Sequence, residues 1–146
     1  MNSIARIILA FLLYMISMVV SLITLPAIFT QSHVLAYIRP YQLMAFADIL
    51  IILSFLLIYL ITNAKTPLYV VELALAALIP INYLDIYTRT LQGVHIAVLP
   101  LFIKIEGLSG SSLALDLGQI SILALAILYI KNIIGRKSGE SNIQNI

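Results

Sequence analysis

The 146 residues contain no cysteine and no tryptophan, only 10 % of positions are charged, and there are six glycines and five prolines. Without cysteine there is no disulfide framework, no thiolate metal site and no thiol nucleophile. With so few charges, and a net formal charge of only +2, the chain lacks the basic stripe that nucleic-acid binding requires, and no nucleic-acid partner is expected. Of the glycines only Gly118 falls inside a long apolar run. That leaves no pair of glycine-broken helices of the kind transporters use, and no inverted repeat is visible. Gly-x-Ser-x-Gly, His-Glu-x-x-His and glycine-rich phosphate loops are also missing, so the chain is not expected to be catalytic on its own.

Apolar side chains are abundant: 62 % of residues are hydrophobic, against about 45–50 % in an average soluble domain. A chain this short has too little interior to hide that excess, so the surplus is expected to face lipid. Isoleucine alone fills 26 positions. Rich in isoleucine and free of cysteine and tryptophan, the composition resembles that of proteins that work hot, and a thermophilic source is one expectation.

Hydropathy divides the chain into four expected spans, about 4–29, 41–62, 67–87 and 112–130. The fold class expected is an all-α membrane protein: a bundle of four transmembrane helices with an interfacial or re-entrant segment between helices 3 and 4. Residues 1–137 form a single domain and 138–146 a polar tail. The first run is too long for the core of a cleavable signal peptide and is taken as a retained span. Thr66 and Pro67 look like the cap and first residue of helix 3. Leu91 to Ile103 is apolar but interrupted by Gly93 and Pro100, and is too short to cross as a helix.

Four crossings put Arg6, Lys65, Lys131, Arg136 and Lys137 on one side and Arg39, Arg89 and Lys104 on the other. That imbalance predicts both termini in the cytoplasm. Tyr37, Tyr41, Tyr83 and Tyr87 then fall at the outer interface and Tyr59, Tyr69 and Tyr129 at the inner one, while Tyr14 sits mid-span and needs a partner for its hydroxyl.

Ionisable groups inside a span are costly and become candidate sites by default. On this map Asp48, Asp85 and Asp116 share one outer layer. Asp85 and Arg89 stand four apart on one helix face, as a pairing acid and base do. Asn82 lies beside them, and Asp116 and Gln119 extend the polar layer from helix 4 along a stripe that begins at Ser112. The expectation is an outward-facing polar pocket of Asp48, Asn82, Asp85, Arg89, Asp116 and Gln119. Glu72, in the inner half, is a possible proton site near the positive end of its helix. His33 and His95 are the only histidines and both fall on the outer side, where they could touch haem, a metal or a quinone.

Small loops, lipid-compatible surface and no self-contained chemistry lead to the expected function. It is an integral membrane accessory subunit of a larger, energy-transducing assembly, respiratory and quinone- or haem-linked, with electron transport as its setting. Its partners are then the bilayer and other membrane subunits, or further copies of itself. A small homo-oligomeric proton or ion carrier using the intramembrane carboxylates is the second expectation, and a structural membrane or viral-envelope component the third.

Overall fold

In the computed structural model, residues 2–29, 39–107 and 110–141 are described, the side chains of 27–29, 107 and 132–141 excepted. The elements in order are α1 (Ser3–Phe29), α2 (Pro40–Thr62), α3 (Lys65–Leu91), β1 (His95–Leu99), β2 (Phe102–Gly107), β3 (Gly110–Leu115) and α4 (Leu117–Ser141). The chain is mostly helical, and three of its helices, α1 to α3, are long and apolar enough to cross a membrane. The apolar part of α4, Leu117–Lys131, is shorter.

Helix α1 buries one stripe, Ala10, Tyr14, Met18 and Leu25, at spacings that return to one face of a 3.6-residue turn. Its other faces are just as apolar and are exposed, from Ile4, Ile8 and Phe11 to Ile16, Val20 and Ile23. A helix that is hydrophobic all round suits lipid rather than water. Ala10, Ala47 and Ala74, one from each of the first three helices, have no exposed surface. Without longer side chains between them the helix backbones can approach closely, which is where packing attraction between helices in lipid arises.

Helix α2 begins at Pro40, whose missing N–H costs nothing at a first helical position, and the Arg39 backbone N–H donates to Gln42 Oε1 at 3.1 Å. It ends at Asn63, in the left-handed conformation (φ 50°), whose N–H returns to the Tyr59 carbonyl at 2.8 Å. Helix α3 starts at Lys65, not at Pro67. Ala64 is the capping position and makes no side-chain cap bond, so Thr66 does not serve as the cap. Pro67 is tolerated because it still lies in the first turn, where backbone N–H groups have no intrahelical acceptor.

Helix α3 ends in a Schellman closure. Gly93, at φ 80°, donates to the Thr90 carbonyl, and Val94 donates to the Arg89 carbonyl. It is the hub of the fold: α1, α2 and α4 all pack on it, and among the described residues α4 packs on no other helix.

The all-α expectation is corrected here. The stretch between α3 and α4 is a three-stranded antiparallel meander in the order β1-β2-β3, so a small sheet stands beside the helices. Leu99 pairs with Phe102 across a two-residue turn, in which Pro100 pre-sets the first position and Leu101 takes φ 63°. The strands alternate: Ile96, Ile103, Ile105 and Ala114 face the helices while Lys104 and Glu106 face away. Ser112 to Leu115, assigned above to a fourth span, belong to β3, and α4 starts only at Leu117. At its far end α4 continues to Ser141, so the backbone of 138–141 is helical.

Candidate functional site

A cavity of about 240 Å³ lies between the first half of α2, the last third of α3 and the helix-facing side of the sheet. Tyr41, Gln42 and Phe46 bound it on α2, and Asn82, Asp85 and Arg89 on α3. Its remaining walls are mostly isoleucine, leucine and alanine, among them Ile96, Ile103 and Ile105 of the sheet. The strands therefore supply the wall of the site that faces the two helices.

The polar end is built on one face of α3. Arg89 Nη2 and Nε approach Asp85 Oδ2 at 2.6 and 2.8 Å, and the two side chains keep only 18 % and 14 % of their surface exposed. One carboxylate oxygen thus takes both guanidinium contacts. The other, Oδ1, is buried and has no hydrogen-bond partner among the described residues. Thr88 turns its hydroxyl inward to the Asp85 backbone carbonyl at 2.9 Å.

Asp116 and Gln119 do not line the cavity; they hold its wall in place. Asp116 is the N-cap of α4: its carbonyl accepts from the Ile120 N–H at 3.1 Å, and its Oδ1 accepts from the Gln119 N–H at 3.0 Å. Oδ1 also accepts from Asn82 Nδ2 at 2.9 Å, and Oδ2 from Gln119 Nε2 at 2.9 Å. Gln119 then grips the β1–β2 turn, donating to the Leu99 carbonyl at 3.0 Å and accepting from the Leu101 N–H at 2.9 Å. The Asp116 N–H closes the ring on the Leu101 carbonyl at 2.9 Å. Gly118 makes this approach possible, since a Cβ there would stand 3.0 Å from the Tyr83 ring, 3.1 Å from Asn82 Nδ2 and 3.2 Å from Asp116 Oδ1. The expected polar stripe Ser112–Asp116–Gln119 is thereby corrected: Ser112 is in a strand, and the other two form a helix cap.

Asp48 stands apart from both groups. It is fully buried, accepts the Tyr14 hydroxyl on Oδ1 at 2.9 Å and ties α1 to α2, while Oδ2 has no partner among the described residues. It does not line the cavity. The single layer of three carboxylates is therefore three separate settings: a helix–helix bond at Asp48, an ion pair at Asp85 and a helix cap at Asp116.

Glu72 is half-buried near the start of α3, outside the cavity. His95 is exposed at the start of β1, opposite Glu106, and His33 lies outside the described residues, so a joint site of the two histidines has one described member. Among the described residues no three His, Cys, Asp or Glu side chains gather as a metal site. On the outer face of the sheet Lys104 Nζ meets Glu106 Oε1 at 2.6 Å. That bond, with the Lys104 charge, holds the Glu106 carboxyl below the usual carboxylate range.

Tyr41, Gln42 and the strand isoleucines are cavity residues that hydropathy does not single out. The signal for the strands is the alternation Ile103-Lys104-Ile105-Glu106. Compared with known protein families, curated proteins and solved structures, the chain matches none.

Proposed function

We propose that the chain is an integral membrane subunit of a larger membrane assembly, with four crossings, both termini in the cytoplasm and the cavity under the sheet presented at the outer surface. The observation that carries this reading is the lopsided packing of α4. It is a 25-residue helix that, among the described residues, packs on one other helix, α3, and exposes Ile122, Leu123, Ile127 and Ile130. Its apolar stretch Leu117–Lys131 is about 22 Å long at 1.5 Å per residue, short of a hydrocarbon core of about 30 Å. Tilt does not help a short helix; local thinning, a snorkelling Lys131 or a neighbouring subunit does. In an energy-transducing assembly, the second and more specific part of the proposal, the outer cavity would be shared with or presented to that neighbour.

The test is extraction from native membranes in mild detergent, followed by identification of what travels with the chain. The expected result is one or more membrane partners lost on Leu123→Trp and Ile127→Trp in α4. A stable monomer that behaves the same with these changes would overturn the reading. Orientation is checked separately. The lack of native cysteine means that single Asn63→Cys and Ser111→Cys variants report without background, and an impermeant maleimide should reach Ser111→Cys from outside and Asn63→Cys only after permeabilisation.

The second reading, a proton or ion carrier, is favoured by one observation: a fully buried Asp48 with an unpartnered oxygen inside the helices. Liposome flux abolished by Asp48→Asn would support it. Flux that is absent, or unchanged by the substitution, would remove it.

A further inference from the structure

We infer that the cavity under the sheet is a binding site for a small, neutral, single-ring molecule that carries a hydroxyl, a phenol- or quinol-like head group whose O–H is received by Asp85 Oδ1. This deepens the pocket half of the reading above and rests on it only for the membrane setting; the partner on α4 could be wrong without touching it.

The size of the cavity sets the first limit. A cavity of about 150 Å³ lined by apolar side chains already admits benzene, whereas drug-sized ligands occupy about 300 Å³ or more. At about 240 Å³ the space under the sheet suits one ring with a substituent. Its walls set the second limit. Phe46, Ile49, Ile96, Ile103, Ile105 and Leu117 offer apolar surface from α2, β1, β2 and the start of α4, with nothing there to recognise a charge.

Charge and hydrogen bonding set the third. Asp85 and Arg89 neutralise one another at 2.6 Å, so the polar end calls for neither a cation nor an anion. What it does call for is a donor. Both Arg89 contacts fall on Oδ2, and Oδ1 is buried without one among the described residues. A buried acceptor left unmade is costly, and a carboxylate oxygen pays more than a neutral one. An O–H arriving at the polar end from within the pocket satisfies it without breaking the ion pair. A carbonyl oxygen, having no proton to give, does not, so the site should prefer the hydroxyl form of a ring over its keto form.

The test uses the full chain in detergent micelles and three ring probes of similar size: 4-fluorophenol, 4-fluorotoluene and 1,4-benzoquinone, the first two followed by fluorine NMR and the last by competition against 4-fluorophenol. The expected result is that 4-fluorophenol binds at least about tenfold more tightly than either of the others, the discrimination of one hydrogen bond to a charged acceptor. Asp85→Ala should erase that preference while leaving the toluene affinity within about threefold. Because Asp85→Ala also frees Arg89 and could disturb folding, two filling variants stand beside it. Ala45→Phe on α2 and Ala114→Phe on β3 each project into the cavity and should abolish binding of all three probes. Equal affinity for the phenol and toluene probes would mean that water serves Asp85 Oδ1, and would overturn the inference. So would phenol binding that survives both filling variants, because the probe would then be dissolved in the micelle or bound elsewhere.

Discussion

Two aspartates in this chain have no exposed surface at all, and they are not equivalent. Asp116, where the sheet meets α4, accepts three hydrogen bonds from Asn82 and Gln119 and lies at the positive end of a helix. Asp48, between α1 and α2, accepts one from Tyr14 and leaves an oxygen without a partner among the described residues. Saturation of this kind marks a group whose work is structural. The chain has supplied a donor to each oxygen of Asp116, and it has done so by joining α3, α4 and the β1–β2 turn. An unsaturated buried carboxylate is the more reactive object, because any water, proton, cation or neighbouring subunit that reaches it finds an acceptor waiting.

The largest effect should therefore come from Asp116. Asp116→Ala removes a helix cap and strands the Asn82 amide and one bond of Gln119, a loss of about 3 kcal/mol by ordinary values for a cap and for buried unpaired donors. Unfolding in a graded mixture of mild and denaturing detergent measures it, with near-normal helix content retained in α1 to α3. A loss below about 1 kcal/mol would mean that the junction is held by the apolar face of the sheet instead.

Gly118→Ala sharpens the same point without touching a polar group. The added methyl would stand 3.0–3.2 Å from Tyr83, Asn82 and Asp116, closer than side chains normally pack. Overpacking of this kind costs about 1–3 kcal/mol and the gain in helix propensity returns at most about 1, so a net loss of about 1–2 kcal/mol is expected. Combined with Asp116→Ala the two losses should be less than additive, because both act on the contact between Asn82 and α4.

Asp48→Ala should cost about 1 kcal/mol or less, since interhelical hydrogen bonds in membranes average about 0.6 kcal/mol and the substitution also removes the unpartnered oxygen. Asp48→Asn keeps an acceptor for Tyr14 and should be smaller still. Should Asp48→Ala prove as damaging as Asp116→Ala, the contrast between the two residues collapses, and Asp48 must hold something the isolated chain does not contain.

What hydropathy makes legible is the part of the fold whose environment is uniform. α1, α2 and α3 are long apolar runs bounded by Asn63, Gly93 and prolines, and their limits fall within a few residues of expectation, because lipid asks only for length and apolarity. The region from Leu91 to Leu117 obeys a different rule. There one run of apolar residues holds a helix end, a turn and a strand in succession, so its average hydropathy describes none of them. The alternation around Lys104 and Glu106 and the spacing Asp116-x-x-Gln119, an N-cap followed by its third helical residue, both carry the local answer. A helix begun at Ser112 turns that cap into a mid-span stripe and moves Asp116 a full turn into lipid. The Asp85–Arg89 pair is legible because it is local to one helix. The Tyr14–Asp48 bond is not, since 34 residues and the rotation of two helices separate its partners.

The smallest effect belongs to the one ion pair that, among the described residues, faces water. Glu106 and Lys104 keep about half their side-chain surface exposed, and exposed pairs contribute little to stability. The Glu106 carboxyl is nevertheless held below its ordinary range by the Lys104 hydrogen bond and charge, with His95 opposite adding in the same direction. A carboxyl whose folded-state pKa is depressed adds stability above its unfolded value and gives it up as pH falls through the folded one. Lys104→Met should therefore raise the Glu106 pKa toward an ordinary carboxylate in a carbon-detected NMR titration. It should leave stability at neutral pH unchanged within error and abolish only the slight acid-side slope that the pair creates. A substantial loss at neutral pH would mean that the outer face of the sheet is covered in the working molecule, where the same two charges would be shielded from water and worth far more.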